Sequence, residues 1–389
     1  MGGCAGVSVT MDFTFTPEQE AFRQEVRGFS QREVIAKGLD KPTGTEQHDA
    51  GFYRALAEHG YIGMQWPRSH GGQGRSHVDM SIFYEEMAYA NAPLGRYTGS
   101  VVFVGESLIA YGSPEQQREY LPRIASGEIT CCWCLSEPGS GSDAASLITR
   151  AEALPGGGFR LHGQKIFTSG AHLAEVGLVA ARTNPDAPKH HGISLFLISM
   201  KLPGISVQPL WTIGGWHVNQ VFFDSVELPA SALVGKKDEG WRNILITLNL
   251  ERSAIGKVGL LMRIFDKIRD YATEHEVAES MRERLFDLRA EIEALRWMSY
   301  RVARLQDQGH VPDALVSMSK LRASELMVAI SDLGMDVLGA RGAERGADAP
   351  LAGEAEYLYR NTQFHLAGGG TPDIQRMVIA QRGLGLPRS

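Results

Sequence analysis

The order in which the hydrophobic period changes along the chain restricts the fold more than any single motif. From Thr16 to about Ile124 apolar residues recur at helical spacing, starting in "TPEQEAFRQEVRGF", where Thr16 can cap and Pro17 falls in the first turn. Around Cys131 the texture becomes short apolar or alternating runs, "FRLHGQKIFTSG", "VGLVAART", "GISLFLISM", "ISVQPL" and "QVFFDSVELP", separated by Gly, Pro and Asn turns. Past Leu233 and "GKKDEGW" the helical period returns through "ILITLNLERSAIGKVGLLMRIFDKI" and two further long stretches. This predicts an α+β multidomain protein: an N-terminal helical domain over 11–128, a middle β-barrel or sandwich domain over 129–235, and a C-terminal four-helix bundle over 236–389. The first ten residues, "MGGCAGVSVT", have no period and are set aside as an extension before Met11.

With 389 residues, 43% hydrophobic and 22% charged, the chain can bury two or three packed units. A net charge of -6 provides no basic field, so nucleic acid is not an expected partner. No apolar run approaches the roughly 18 to 20 residues of a membrane span, and no signal peptide is evident, so a cytoplasmic location is expected. "CCWC" at 131–134 is too crowded for tetrahedral zinc and reads as buried thiols beside a strand. His70, His77, His190, His191 and His217 lack ligand spacing, and no metal is expected.

Two segments could carry chemistry. In "CLSEPGSGSDAASL", 134–147, Gly139 and Gly141 let a ligand approach the backbone while Ser136, Ser140 and Ser142 offer hydroxyls. Such a loop can cradle an anion, or can simply join two elements. In "ERSAIG", Glu251 falls on the apolar side of a helix marked by Ile244, Leu248, Ile255, Val258, Met262 and Phe265. A carboxylate there needs a partner or a use, and spacing leaves open an ion pair with Arg252 or a neighbouring helix, or a functional base.

Taken with "GQKIFTS", "YIGMQWPRSHGGQG", "YGSPEQQREYLPRIASGE" and "GGGTPDIQRMVIAQRGLGLPR", the loop "CLSEPGSGSD" resembles the acyl-CoA dehydrogenase family, from about Met11 to Arg388. The resemblance implies an FAD-dependent enzyme of lipid metabolism, of the fatty-acid β-oxidation type. It introduces an α,β double bond into an acyl-CoA and passes electrons to an electron-transfer flavoprotein or similar carrier. FAD would lie between the β domain and the bundle. Leu135 and Ser136 would flank the flavin, Gly141 and Ser142 would line the loop with Ser142 touching phosphate or substrate, and Phe167, Thr168 and Ser169 would cover the other side. Phe167 stands where the family usually has Trp. Thr371 and Asp373 match phosphate and ribose contacts.

"LNLERSAIG" matches the isovaleryl-CoA dehydrogenase branch, which implies Glu251 as base, with Arg252 orienting it or meeting the CoA end. Gly369 stands where most members carry the base, and its main-chain amide, beside Gly370, would polarise the thioester oxygen. Two departures concern the FAD adenylate: "TEHEVAESMRERLF" replaces an Arg-x-x-Phe-Gly segment, and "DVLGARG" at 336–342 places Asp336 near the pyrophosphate, to be offset by Arg341 or Arg345. Such losses resemble the heteromeric enzymes of sterol side-chain breakdown, so a homo- or heterotetramer is expected. The competing readings are a non-catalytic partner subunit and a flavin oxidase or monooxygenase on the same fold.

Overall fold

The computed structural model describes residues 14–41, 48–251, 255–310 and 312–387; for 246, 248–251, 255 and 256 the description is of the main chain. Helix α1 (Pro17–Ser30) starts at a reciprocal cap between Thr16 and Gln19 and buries Phe22, Val26 and Phe29. It is followed by α2 (Ala50–Glu58), α3 (His77–Tyr89), α4 (Gly95–Tyr97), a wide-turn segment Thr98–Gly105, α5 (Glu106–Tyr111) and α6 (Pro114–Ala125). Asp49, Ser76 and Ser113 cap α2, α3 and α6 with side-chain oxygens, which satisfies amides that a helix start leaves open.

Eight strands form the middle sheet: β1 (Cys131–Cys134), β2 (Arg150–Leu154), β3 (Gly158–Thr168), β4 (Val176–Arg182), β5 (Ile193–Ser199), β6 (Ile205–Trp211), β7 (His217–Pro229) and β8 (Leu233–Val234). Their order is β6-β7-β3-β2-β4-β5-β8, with β1 laid parallel against β4. β4 and β5 read as unbroken apolar runs because both their faces are covered. Leu178 and Ala180 face the helical core, whereas Val179 and Ala181 face the sheet's own core. That second core joins residues of β3, β5 and β7, with the Phe159 and Phe196 rings 4.9 Å apart, so the sheet curls around it.

The chain then forms α7 (Gly240–Glu251), α8 (Ile255–Glu274), α9 (Glu279–Asp307), α10 (Asp313–Leu338), α11 (Glu354–Ala367) and α12 (Pro372–Val378). The bundle is built by α8, α9, α10 and α11, while α7 lies against α5, β5 and the Thr98–Gly105 segment. Among the described residues no helix is long and apolar enough to cross a membrane.

The N-terminal helices and the bundle meet over a wide contact. At the α3–α8 crossing a Cβ on Gly259 would lie 2.2 Å from the Glu85 carbonyl oxygen, so only glycine permits this approach. Arg23, in α1, donates to Glu85 (2.7 Å), Glu86 (2.9 Å) and Tyr300 (2.8 Å), while Arg296 also donates to Glu85. These charges are buried and mutually paired, the condition under which burial is tolerated. A second tie is Asp307, whose carboxylate accepts from the amides of His77 (2.7 Å) and Val78 (3.3 Å) and caps α3 from the end of α9. Burial raises the Asp307 carboxyl, but the bonds from His77 and Val78 outweigh it and hold it below the usual aspartate range. A depressed folded-state value contributes stability above the unfolded value and loses it as pH falls through the folded one. Asp307→Ala is therefore expected to cost about 1 kcal/mol at neutral pH, the size of a lost cap. Urea midpoints of variant and parent should converge as pH drops below about 3.9; a gap that stays constant with pH would contradict the assignment.

Candidate active site

The loop after β1 is fastened on its inner side by one buried lysine. Lys165 alternates inward with Phe159 and Leu161 along β3 and is 0% exposed. Its ammonium donates to the Leu135 carbonyl (3.0 Å) and to the Glu137 carboxylate (2.7 Å). The same carboxylate accepts from the amides of Ile148 (2.7 Å) and Thr149 (2.9 Å), closing the loop at both ends. Arg182 donates to the Ala145 carbonyl (2.6 Å), and the Ile166 amide to that of Ser136 (2.9 Å). Burial pulls the Lys165 ammonium below its usual value against the pull of Glu137. Burial acts upward on Glu137, yet Lys165 and the Ile148 amide hold its carboxyl below the usual range. Both groups are thus committed to the loop.

The outer side of the loop is open. A Cβ on Gly139 or Gly141 would meet nothing within 4 Å, and the buried Ser140 hydroxyl has no protein hydrogen-bond partner. Gly141 and Ser142 are exposed, Ser136 is partly so, and Leu135 is buried beneath them. Beside the loop the β3–β7 register breaks between Lys165 and Thr168, and Phe167 takes φ +57°, a conformation that an aromatic residue adopts only where the surroundings force it. The break turns its ring outward, 60% exposed. Thr168 is buried and its carbonyl accepts from Asn219 (2.9 Å), whereas Ser169 is exposed. An open glycine backbone next to an outward aromatic ring suits a flat, phosphate-bearing heterocycle.

The bundle reaches this surface through α11. The Trp216 ring, ahead of Asn219 on β7, packs edge-on against Phe364 with centroids 4.8 Å apart, and its indole donates to Asn361. Arg360 adds a bond to the Ile213 carbonyl (2.5 Å). Four residues past Phe364 begins the turn 368–370, with Gly369 and Gly370 at φ +72° and +95°. Thr371 caps α12 by accepting from Ile374 (3.4 Å), and Asp373 is exposed beside Arg376 (3.5 Å). His365 is pushed down to about 3 by burial, with the charges of Lys257 and Lys320 acting the same way, so the imidazole stays neutral.

Glu251 is the last residue of α7; its side chain and the whole of Arg252 lie outside the described residues. On either side of it Ile244, Val258 and Phe265 are buried, and Met262 is partly so. The three strand cysteines are buried and unbridged, with the Cys132 and Cys134 sulfurs 3.9 Å apart. Asp336 is offset by Arg284 (2.6 Å) and not by Arg341 or Arg345, which pair with Glu344 and Glu356. Sequence reasoning missed the Lys165–Glu137 pair, although the inward place of Lys165 in an alternating strand was a signal.

Comparison with known proteins agrees with this arrangement. Family models match along the chain as the acyl-CoA dehydrogenase N-terminal domain (16–128), middle domain (132–226) and C-terminal domain (238–384). Acyl-CoA dehydrogenase IpdE1 of Mycobacterium tuberculosis is 36% identical over 95% of this chain and 98% of its own. Among solved structures, the Tcur3481-Tcur3483 steroid ACAD superposes with TM-score 0.89 at 32% identity, covering 97% of this chain and 100% of its own. The ChsE4-ChsE5 complex from M. tuberculosis gives 0.87 at 30%, again over 97% and 100%. The chain belongs to the acyl-CoA dehydrogenase family, FAD-dependent oxidoreductases acting on acyl-CoA thioesters.

Proposed function

We propose that this chain desaturates the α,β bond of an acyl-CoA carrying a bulky, ring-bearing acyl group, with Glu251 as the base. The observation that supports the reading is the edge-on packing of Trp216, just before β7 of the middle sheet, against Phe364 of α11, which ties the sheet to the bundle shortly before the glycine turn. Leu135, Ser136, Gly141 and Ser142 would hold FAD from the loop side, and Phe167, Thr168 and Ser169 from the β3 side. Thr371 and Asp373 would meet its phosphate and ribose. Bound FAD supplies a hydride acceptor at its flavin ring. Glu251 takes the α-proton, and a base on an apolar helix face gains strength by desolvation. Gly369 and Gly370 offer amides to the thioester oxygen, where charge builds as the proton leaves. Ser142 and Arg252 serve the CoA end.

The acyl class is inferred from the neighbour whose title names it a steroid ACAD. The same neighbours, one of them a complex of two named chains, support assembly with a different partner subunit. The Arg284–Asp336 pair favours that reading, because it sets a surface ion pair in the segment from which an adenylate contact is missing. Electrons would leave to an electron-transfer flavoprotein or similar carrier.

The test is anaerobic mixing of the purified protein, alone and with a co-produced partner, with isovaleryl-CoA, palmitoyl-CoA and a steroid-side-chain acyl-CoA. Bleaching of the flavin band by the ring-bearing thioester alone is the expected result. Bleaching by palmitoyl-CoA alone would reject the substrate class, and stoichiometric peroxide release in air would favour an oxidase.

A further inference from the structure

We propose that Lys320 is the positioning residue that fixes the glycine turn 368–370 against the thioester, a role that rests on the site reading above. Three consecutive glycines have no side chains to pack and lose more freedom on ordering than other residues. Gly369 and Gly370 moreover sit at positive φ. Such a turn can be held only through its main-chain groups, and the structure holds it from α10 and α12. Lys320, 2% exposed in α10, donates from one ammonium to the Leu366 carbonyl (2.9 Å) before the turn and to the Gly370 carbonyl (2.6 Å) at its end. One helical turn on, Ser324 donates to the His365 carbonyl (2.9 Å). From α12 the fully buried Gln375 donates to the Gly369 carbonyl (2.9 Å) and, at 3.3 Å, to that of Gly370.

The Gly369 and Gly370 carbonyls are therefore both held, the first from α12 and the second from α10 and α12. In a trans peptide the N–H points opposite to the preceding C=O, so fixing the Gly369 carbonyl aims the Gly370 amide away from the clamp. An ammonium buried at this depth costs free energy that an apolar side chain would not. Its charge-assisted bonds bridge both ends of a segment that would otherwise wander, which a methionine of similar length could not do. Lys320 spans the turn from Leu366 to Gly370, while Gln375 holds the Gly369 carbonyl between them.

The experiment compares the FAD-loaded full-length protein, with its co-produced partner where one is needed, as parent, Lys320→Met and Lys320→Arg. Amide exchange of 366–371 reports the turn. The long-wavelength absorbance formed with saturating acetoacetyl-CoA reports polarisation of a thioester enolate beside oxidised flavin. Lys320→Met should exchange about tenfold faster in 366–371 with β4 and β5 unchanged, as a local opening does. Its band should fall about tenfold, by loss of an oriented donor. Lys320→Arg should restore most of both. Unchanged exchange in Lys320→Met overturns the proposal, as does faster exchange with a band of parental strength. If β4 and β5 also exchange faster, Gln375→Leu must reproduce the weakened band, and parental strength there overturns the proposal. A parent that forms no band overturns the site reading, and this role with it, whatever exchange shows.

Discussion

Glu251→Gln is expected to retain FAD and the parental fold while lowering dehydrogenation roughly 10²- to 10⁴-fold, the usual contribution of a positioned base. The amide matches the carboxylate in shape, so the packing around Ile244, Val258 and Phe265 has no reason to change. The proton acceptor is what disappears. If base and hydride acceptor work in one step, kcat and kcat/KM should fall together, because the lost interaction belongs to the transition state. Thioester binding, followed by perturbation of the flavin spectrum, should stay within about threefold of the parent, since substrate and transition state are not stabilised alike. Turnover within a factor of two of the parent would remove Glu251 from the mechanism and move the base to another residue.

The second large effect concerns the loop fastening. Lys165→Met leaves a carboxylate that is 4% exposed without its cation, and breaking one side of a buried pair typically costs about 3 to 5 kcal/mol. Glu137 would keep the amides of Ile148 and Thr149, which places the expectation toward the lower end of that range. Because Lys165 also holds the Leu135 carbonyl, the loop should lose its form and FAD should dissociate during purification. Adding Glu137→Gln to Lys165→Met should recover part of the stability, since the stranded charge is then gone. Chemical denaturation of the three variants with FAD content measured alongside gives the answer. A Lys165→Met protein within about 1 kcal/mol of the parent and still yellow would show that the pair is incidental, given the typical spread of single substitutions.

Local pattern carried a good part of this molecule. Capping residues at Thr16 and helical spacing beyond it announced α1, and the short apolar runs between Gly, Pro and Asn turns announced the strands of the middle domain. The open glycines of the loop were also readable, because they depend on neighbours in sequence, whereas the place of Phe167 came from the family resemblance and its outward turn from the β3–β7 register break. Pairings across long separations were not. Nothing in "CCWC" tells that β1 lies parallel to β4, and nothing near Asp336 points to Arg284, 52 residues earlier. The clamp on the glycine turn was hidden for the same reason: Lys320 looks like one more polar residue in a helix until α11 is folded onto it.

The contact at Gly259 has a consequence for how such an enzyme can change its substrate. With α8 resting on the main chain of α3, and Glu85 gripped by Arg23 and Arg296, the described residues of the two helical regions pack as a single block. Room for a wider acyl group cannot be gained by swinging one region away from the other. It has to be carved by exchanging large side chains for small ones along the walls, so acyl preference in this scaffold should shift by single substitutions.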